Sequence, residues 1–67
     1  MVKITGYDEI LSQLKQLGLG SPVYVWFSSG GDYYYLYFQG IIDDSIALFQ
    51  GEVVFRIPIQ NITAIAV

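Results

Sequence analysis

The 67-residue chain contains no cysteine and no histidine. The first absence excludes disulfides and thiolate nucleophiles, the second excludes imidazole bases, and together they remove the usual zinc ligands. Ser28, Ser29 and Ser45 have no histidine to activate them, so nucleophilic catalysis is not expected. The adjacent carboxylates Asp43 and Asp44 point in different directions at a strand end and have no third oxygen ligand nearby, which reads as a solvated turn. Gly30-Gly31 lacks the lysine and helix start of a phosphate loop. The expectation is a non-enzyme with no cofactor and no metal.

Positive charge is almost as scarce. Lys3, Lys15 and Arg56 stand against six acidic residues, a net charge of −3, so no basic patch can hold a phosphate backbone by counterion release. No apolar run reaches the roughly 20 residues that span a bilayer, and MVKITGYDEI lacks a signal-peptide hydrophobic segment. The reading is a cytoplasmic protein without a membrane partner, built as a single domain over residues 1–67.

What is abundant is apolar surface. Hydrophobic residues make up 54% and charged residues 13%, although a small domain normally needs much polar cover. Part of that surface is therefore expected to meet another copy of the chain.

Tyr7, Ile10, Leu11, Leu14 and Leu17 recur at helical spacing and predict one amphipathic helix over residues 7–17. Thr5 and Asp8 have the spacing of a capping box, and Gly18 or Gly20 supplies a stop. Beyond Pro22 the period falls to two, and strands are expected over residues 22–28, 33–43, 46–50, 53–57 and 62–67. A Gly30-Gly31 turn would set Phe27 opposite Tyr34, Val25 opposite Leu36 and Val23 opposite Phe38 on a core face. The other face then carries Tyr24, Trp26, Tyr33, Tyr35 and Tyr37.

Leu36-Tyr37-Phe38-Gln39-Gly40 has the ending of an engineered protease site, but Tyr34 stands where such a site carries glutamate. The stretch reads instead as native strand. A turn at Asp43-Asp44-Ser45 leads to IALFQ, and a two-residue Gly51-Glu52 turn would place Leu48 opposite Phe55 and Ile46 opposite Ile57 in the core. Pro58 closes the next strand because it has no amide hydrogen. ITAIAV is apolar on both faces and suits a strand covered by its own core and by a neighbouring subunit.

One helix followed by five short strands predicts an all-β fold, a small five-stranded SH3-like barrel with a short N-terminal α-helix. This order resembles the Sm-like family, a bent five-stranded barrel that commonly assembles into rings. The resemblance spans nearly the whole chain. It rests on Phe38-Gln39-Gly40-Ile41-Ile42-Asp43, where Gly40 matches a bend-permitting glycine, and on Ile57-Pro58-Ile59-Gln60-Asn61-Ile62-Thr63-Ala64-Ile65. It is closer to bacterial Sm-like domains with an Ile-Pro-Ile turn than to RNA-binding members. Ala47 replaces the base-contacting asparagine of the family's first motif, Pro58 and Ile59 replace the arginine and glycine of its second, and the tyrosine-histidine signature of bacterial RNA chaperones is missing.

The resemblance implies a homo-oligomer, with Val54 and Arg56 on one edge pairing with Ile62, Ala64, Ile65 and Val67 on the edge of the next subunit. For RNA, the aligned contacts would be Asp43, Ala47, Arg56 and Asn61. Tyr24, Trp26, Tyr33, Tyr35 and Tyr37 form either an interface or a binding face, since aromatic rings suit subunit contacts, protein partners and stacked bases alike. The expected function is a non-enzymatic binding and assembly module, and RNA binding through a non-standard site is the alternative.

Overall fold

The computed structural model describes residues 2–27 and 32–67, so the expected Gly30-Gly31 turn lies outside the described residues. These residues form β1 (Lys3–Thr5), α1 (Tyr7–Gln16), β2 (Pro22–Phe27), β3 (Tyr34–Ile42), β4 (Ile46–Gln50), β5 (Val54–Pro58), a 3-10 turn at Ile59–Asn61 and β6 (Ile62–Ala66). The chain is mainly β with one helix among the described residues. Its strands make one antiparallel sheet in the order β1-β6-β2-β3-β4-β5, which is not closed.

The sequence pattern predicts five strands, and the sheet of the described residues has six. Three residues are too few to display a period of two, so β1 acquires its conformation from β6. Ile4 lies opposite Ile65 and points to the core, while Lys3 and Thr5 lie opposite Ala66 and Ala64. Val2 and Val67 extend this ladder by exchanging two backbone hydrogen bonds of 3.0 and 3.1 Å.

Because Thr5 belongs to β1, the expected Thr5–Asp8 capping box does not form. Gly6 is the N-cap, and its φ of 90° turns the chain from strand into helix within one residue. Ten residues make a marginal helix in water, so tertiary packing holds α1 in place. Ile10 and Leu14 are fully buried in the core, with Leu11 and Leu17 packed beside them. At roughly 1.5–3 kcal/mol per buried aliphatic side chain, these contacts outweigh the helix's own propensity. Lys15 Nζ donates to Asp44 Oδ2 at 3.2 Å and Tyr7 Oη donates to the Asp44 carbonyl at 3.2 Å, which ties the helix to the β3–β4 turn. Asp43 and Asp44 both have positive φ, 51° and 55°, as primed hairpin turns require and aspartate tolerates.

The β2–β3 faces sort as expected, but the register differs by two residues. Val23 pairs with Leu36, Tyr24 with Tyr35 and Val25 with Tyr34. A two-residue shift keeps every side chain on its side of the sheet, so Val23, Val25, Leu36 and Phe38 are buried. In β3 the pairing then slips between Phe38 and Gly40, where Gly40 adopts a φ of 136°. A bulge bends its strand and reverses which positions face inward beyond it. Phe38 is therefore inside, and so is Ile41.

The β4–β5 register corrects a second expectation. Phe49 pairs with Phe55 and Ala47 with Ile57, so Ala47 and Phe49 are buried while Ile46 and Leu48 are only half-buried. The connection spans three residues, Gly51 to Val53, closed by a 2.9 Å bond from the Gly51 amide to the Val53 carbonyl. A one-residue change in turn length exchanges the two faces of IALFQ, and burying the phenylalanine removes more apolar surface than burying Leu48 would.

The last strand, β6, is flanked by β1 and β2. The outer edge of β6 is therefore occupied by β1 from Ala64 to Val67, while Ile62 lies beyond the β1 ladder. The open edges of the described sheet are β1 and β5. The molecule measures 26 × 24 × 22 Å, and its core gathers side chains from α1 and from β2 through β6.

Candidate binding surface

The outer face of the sheet is built in three strips. In β1 and β6 the outward positions are Lys3, Thr5, Ala64 and Ala66, which pair across the ladder. In β2 they are Tyr24 and Trp26, which lie opposite Ala66 and Ala64. In β3, Tyr35 lies opposite Tyr24, and Tyr37 lies opposite Pro22.

The alanines set the relief of this surface. Both are buried and neither rises above the backbone layer, so the long Lys3 side chain can cross β6 and place its ammonium 4.6 Å from the Trp26 ring centroid. Trp26 also supplies its carbonyl to Thr63 Oγ1, 3.1 Å away, where the β2–β6 register shifts.

The rings meet one another at steep angles. Tyr24 lies 4.9 Å from both Tyr33 and Tyr35, at 78° and 59°, and Tyr35 lies 5.7 Å from Tyr37 at 75°. Edge-to-face contacts stabilise the face internally, yet Tyr33, Tyr35 and Tyr37 retain 53%, 48% and 44% of their exposure. The helix does not cover them, because its apolar side joins the core on the opposite side of the sheet. Pro22, Tyr24, Tyr35, Ala66 and Val67 border an open depression of about 370 Å³ on this face. All five expected aromatic residues therefore lie together.

The residues aligned with RNA contacts are not gathered in this way. Ala47 is fully buried and offers no surface to a base. Asp43 is in the β3–β4 turn, Arg56 is exposed on β5 and Asn61 ends the 3-10 turn. A depression of about 260 Å³ between these elements is bordered by Tyr7, Ser45, Ile46, Pro58 and Gln60 instead. The β5 edge is apolar where it begins, with Val53 62% and Val54 56% exposed.

A second aromatic group was not anticipated as a site. Tyr34 has core parity but lies beyond the covered part of the sheet, where it stacks on Phe27 at 4.8 Å and 17° and lies 5.9 Å from Phe55. Its signal in the sequence was an aromatic at each of two strand starts, Tyr34 and Phe55, next to a strand end at Phe27. No described helix is long and apolar enough to cross a membrane. Compared with known proteins, the chain matches no family model, no curated protein and no solved structure.

Proposed function

We propose that this chain is a non-enzymatic binding and assembly module of Sm-like build that works as a homo-oligomer, in which strand edges join subunits and the tyrosine face is the working surface. The observation that carries this reading is the half-exposed set Tyr33, Tyr35 and Tyr37, which no described element covers. Tyrosine combines a large apolar body with a polar tip, which favours it at interfaces.

The Sm-like assignment is supported by the order of helix and strands, by the bulge at Gly40 and by the reversal at Pro58–Asn61 before the last strand. Since β1 occupies the outer edge of β6, head-to-tail pairing would join β5 of one subunit to β1 of the next. Such heterologous contacts close into rings when the rotation permits. Light scattering on the purified chain tests the proposal. A defined oligomer at micromolar concentration is expected, and Val54→Lys, which places a charge on an exposed edge, is expected to lower its mass. A monomer would refute assembly.

RNA binding is favoured by one feature, the Lys3 ammonium above Trp26, which puts a cation beside stacking surfaces. Salt-sensitive binding of oligo-U or oligo-A tighter than micromolar would establish that reading in place of the first.

A further inference from the structure

Past the Tyr37–Gln50 pair, β3 runs on while β4 ends. Tyr34, Tyr35 and Leu36 remain paired with β2 on one side and have no ladder partner on the other among the described residues. The Gly51–Val53 connection passes this gap. Together these segments, Tyr34 to Leu36 and Gly51 to Val53 with Phe55, line a half-open cavity of about 310 Å³.

The chemistry of this cavity is distinct from that of the tyrosine face. Tyr34 and Phe55 meet at 54° with centroids 5.9 Å apart, an inclined pair of rings rather than a stacked one. Phe27 supports Tyr34 from behind at 4.8 Å, which fixes the orientation of the ring. Glu52 contributes the carboxylate, and no cation lies within ion-pair distance of it among the described residues, where the one ion pair is Lys15–Asp44. Aromatic faces carry negative potential and attract a cation placed over them. A carboxylate beside them adds long-range attraction, and the chain's net charge of −3 has the same sign. Methyl groups on the cation weaken its hydration and match the apolar walls of Leu36 and Val53. The volume lies at the lower end of ligand cavities, enough for a headgroup.

We propose that this cavity binds a methylated ammonium group, held between Tyr34 and Phe55 with Glu52 as its counter-charge. Two sources share that chemistry, a free quaternary ammonium such as choline and a trimethylated lysine in an extended peptide. The unpaired backbone of Tyr34–Leu36 would give the peptide additional hydrogen bonds. The aromatic pair Tyr34 and Phe55 lies outside the five-residue tyrosine face, although the cavity shares Tyr35 with that face and Val53 with the start of the β5 edge.

The test is an amide and aromatic NMR titration of the intact chain with three probes: choline, its neutral isostere carrying a tert-butyl group, and a short peptide containing trimethyl-lysine. Shifts centred on Tyr34, Glu52 and Phe55 are expected, with choline about tenfold tighter than the neutral isostere, on the order of what cation–π contact supplies. A tighter peptide identifies the peptide as the source, and equal binding identifies the free ammonium. Glu52→Gln, an exposed substitution that leaves the fold intact, is expected to weaken both cations severalfold and to leave the isostere unchanged. Equal shifts from choline and its isostere, or no shift at Tyr34 and Phe55 at tens of millimolar, would overturn the proposal, as would Glu52→Gln binding like the parent chain.

Discussion

Phe38 and Phe49 meet edge to face across the β3–β4 ladder, with ring centroids 6.0 Å apart and planes at 60°. This contact identifies the inward face of β4, since Phe49 is fully buried while its neighbour Leu48 is only half-buried. Phe49→Ala is therefore expected to cost about 3–5 kcal/mol, and Leu48→Ala clearly less. Urea unfolding of both variants checks the register. Equal losses, or a larger one at Leu48, would favour the two-residue turn at Gly51-Glu52.

That register shows where a sequence pattern loses resolution. Val23, Val25, Leu36 and Phe38 alternate with polar or aromatic neighbours, so their faces were legible even though the pairing was displaced by two residues. Ile46, Ala47, Leu48 and Phe49 are all apolar, so alternation cannot choose between their faces; turn length decides. The five-residue aromatic face was readable for the same reason as the core of β2 and β3. Strand β1 was not readable, because its short pattern has meaning only beside β6. The cavity at Tyr34 was hidden too, since it depends on β3 outlasting β4.

The three-residue turn also makes Gly51 sensitive to substitution. A Cβ at this position would stand 2.8 Å from Leu36 Cδ2 and 3.1 Å from Phe55 Cε1. Leu36 is buried and has little room to yield. Gly51→Ala is expected to lower stability by about 1–3 kcal/mol, as overpacking does. Gly18→Ala is the control, because its nearest neighbour would be at an ordinary 3.6 Å. If thermal unfolding shows the two variants equally stable, the close packing of the Gly51 turn against β3 is wrong.

Tyr35 and Tyr37 contact each other on the outer face and contribute nothing to the core. Replacing both with serine is expected to change unfolding by about 1 kcal/mol or less, in the range of cross-strand pair energies. Under the assembly reading, the same double variant has a lower mass by light scattering. An unchanged mass would remove the face from the subunit contacts and leave it as a ligand surface.

The reciprocal bonds between Val2 and Val67 fix the phase of the β1–β6 ladder. Antiparallel ladders alternate hydrogen-bonded and non-hydrogen-bonded pairs, so Lys3–Ala66 is the open pair and Ile4–Ile65 again exchanges two bonds. Ile4→Pro removes one of these donors and cannot keep the ladder intact. Hydrogen exchange should then accelerate at Ile65 and Val67, whose amides face β1, and remain slow at Ala64 and Ala66, whose amides face β2. The selective pattern matters, because general acceleration would mean global unfolding. Unchanged exchange at Ile65 would mean that β1 does not cover that edge, leaving β6 available for direct pairing with another subunit.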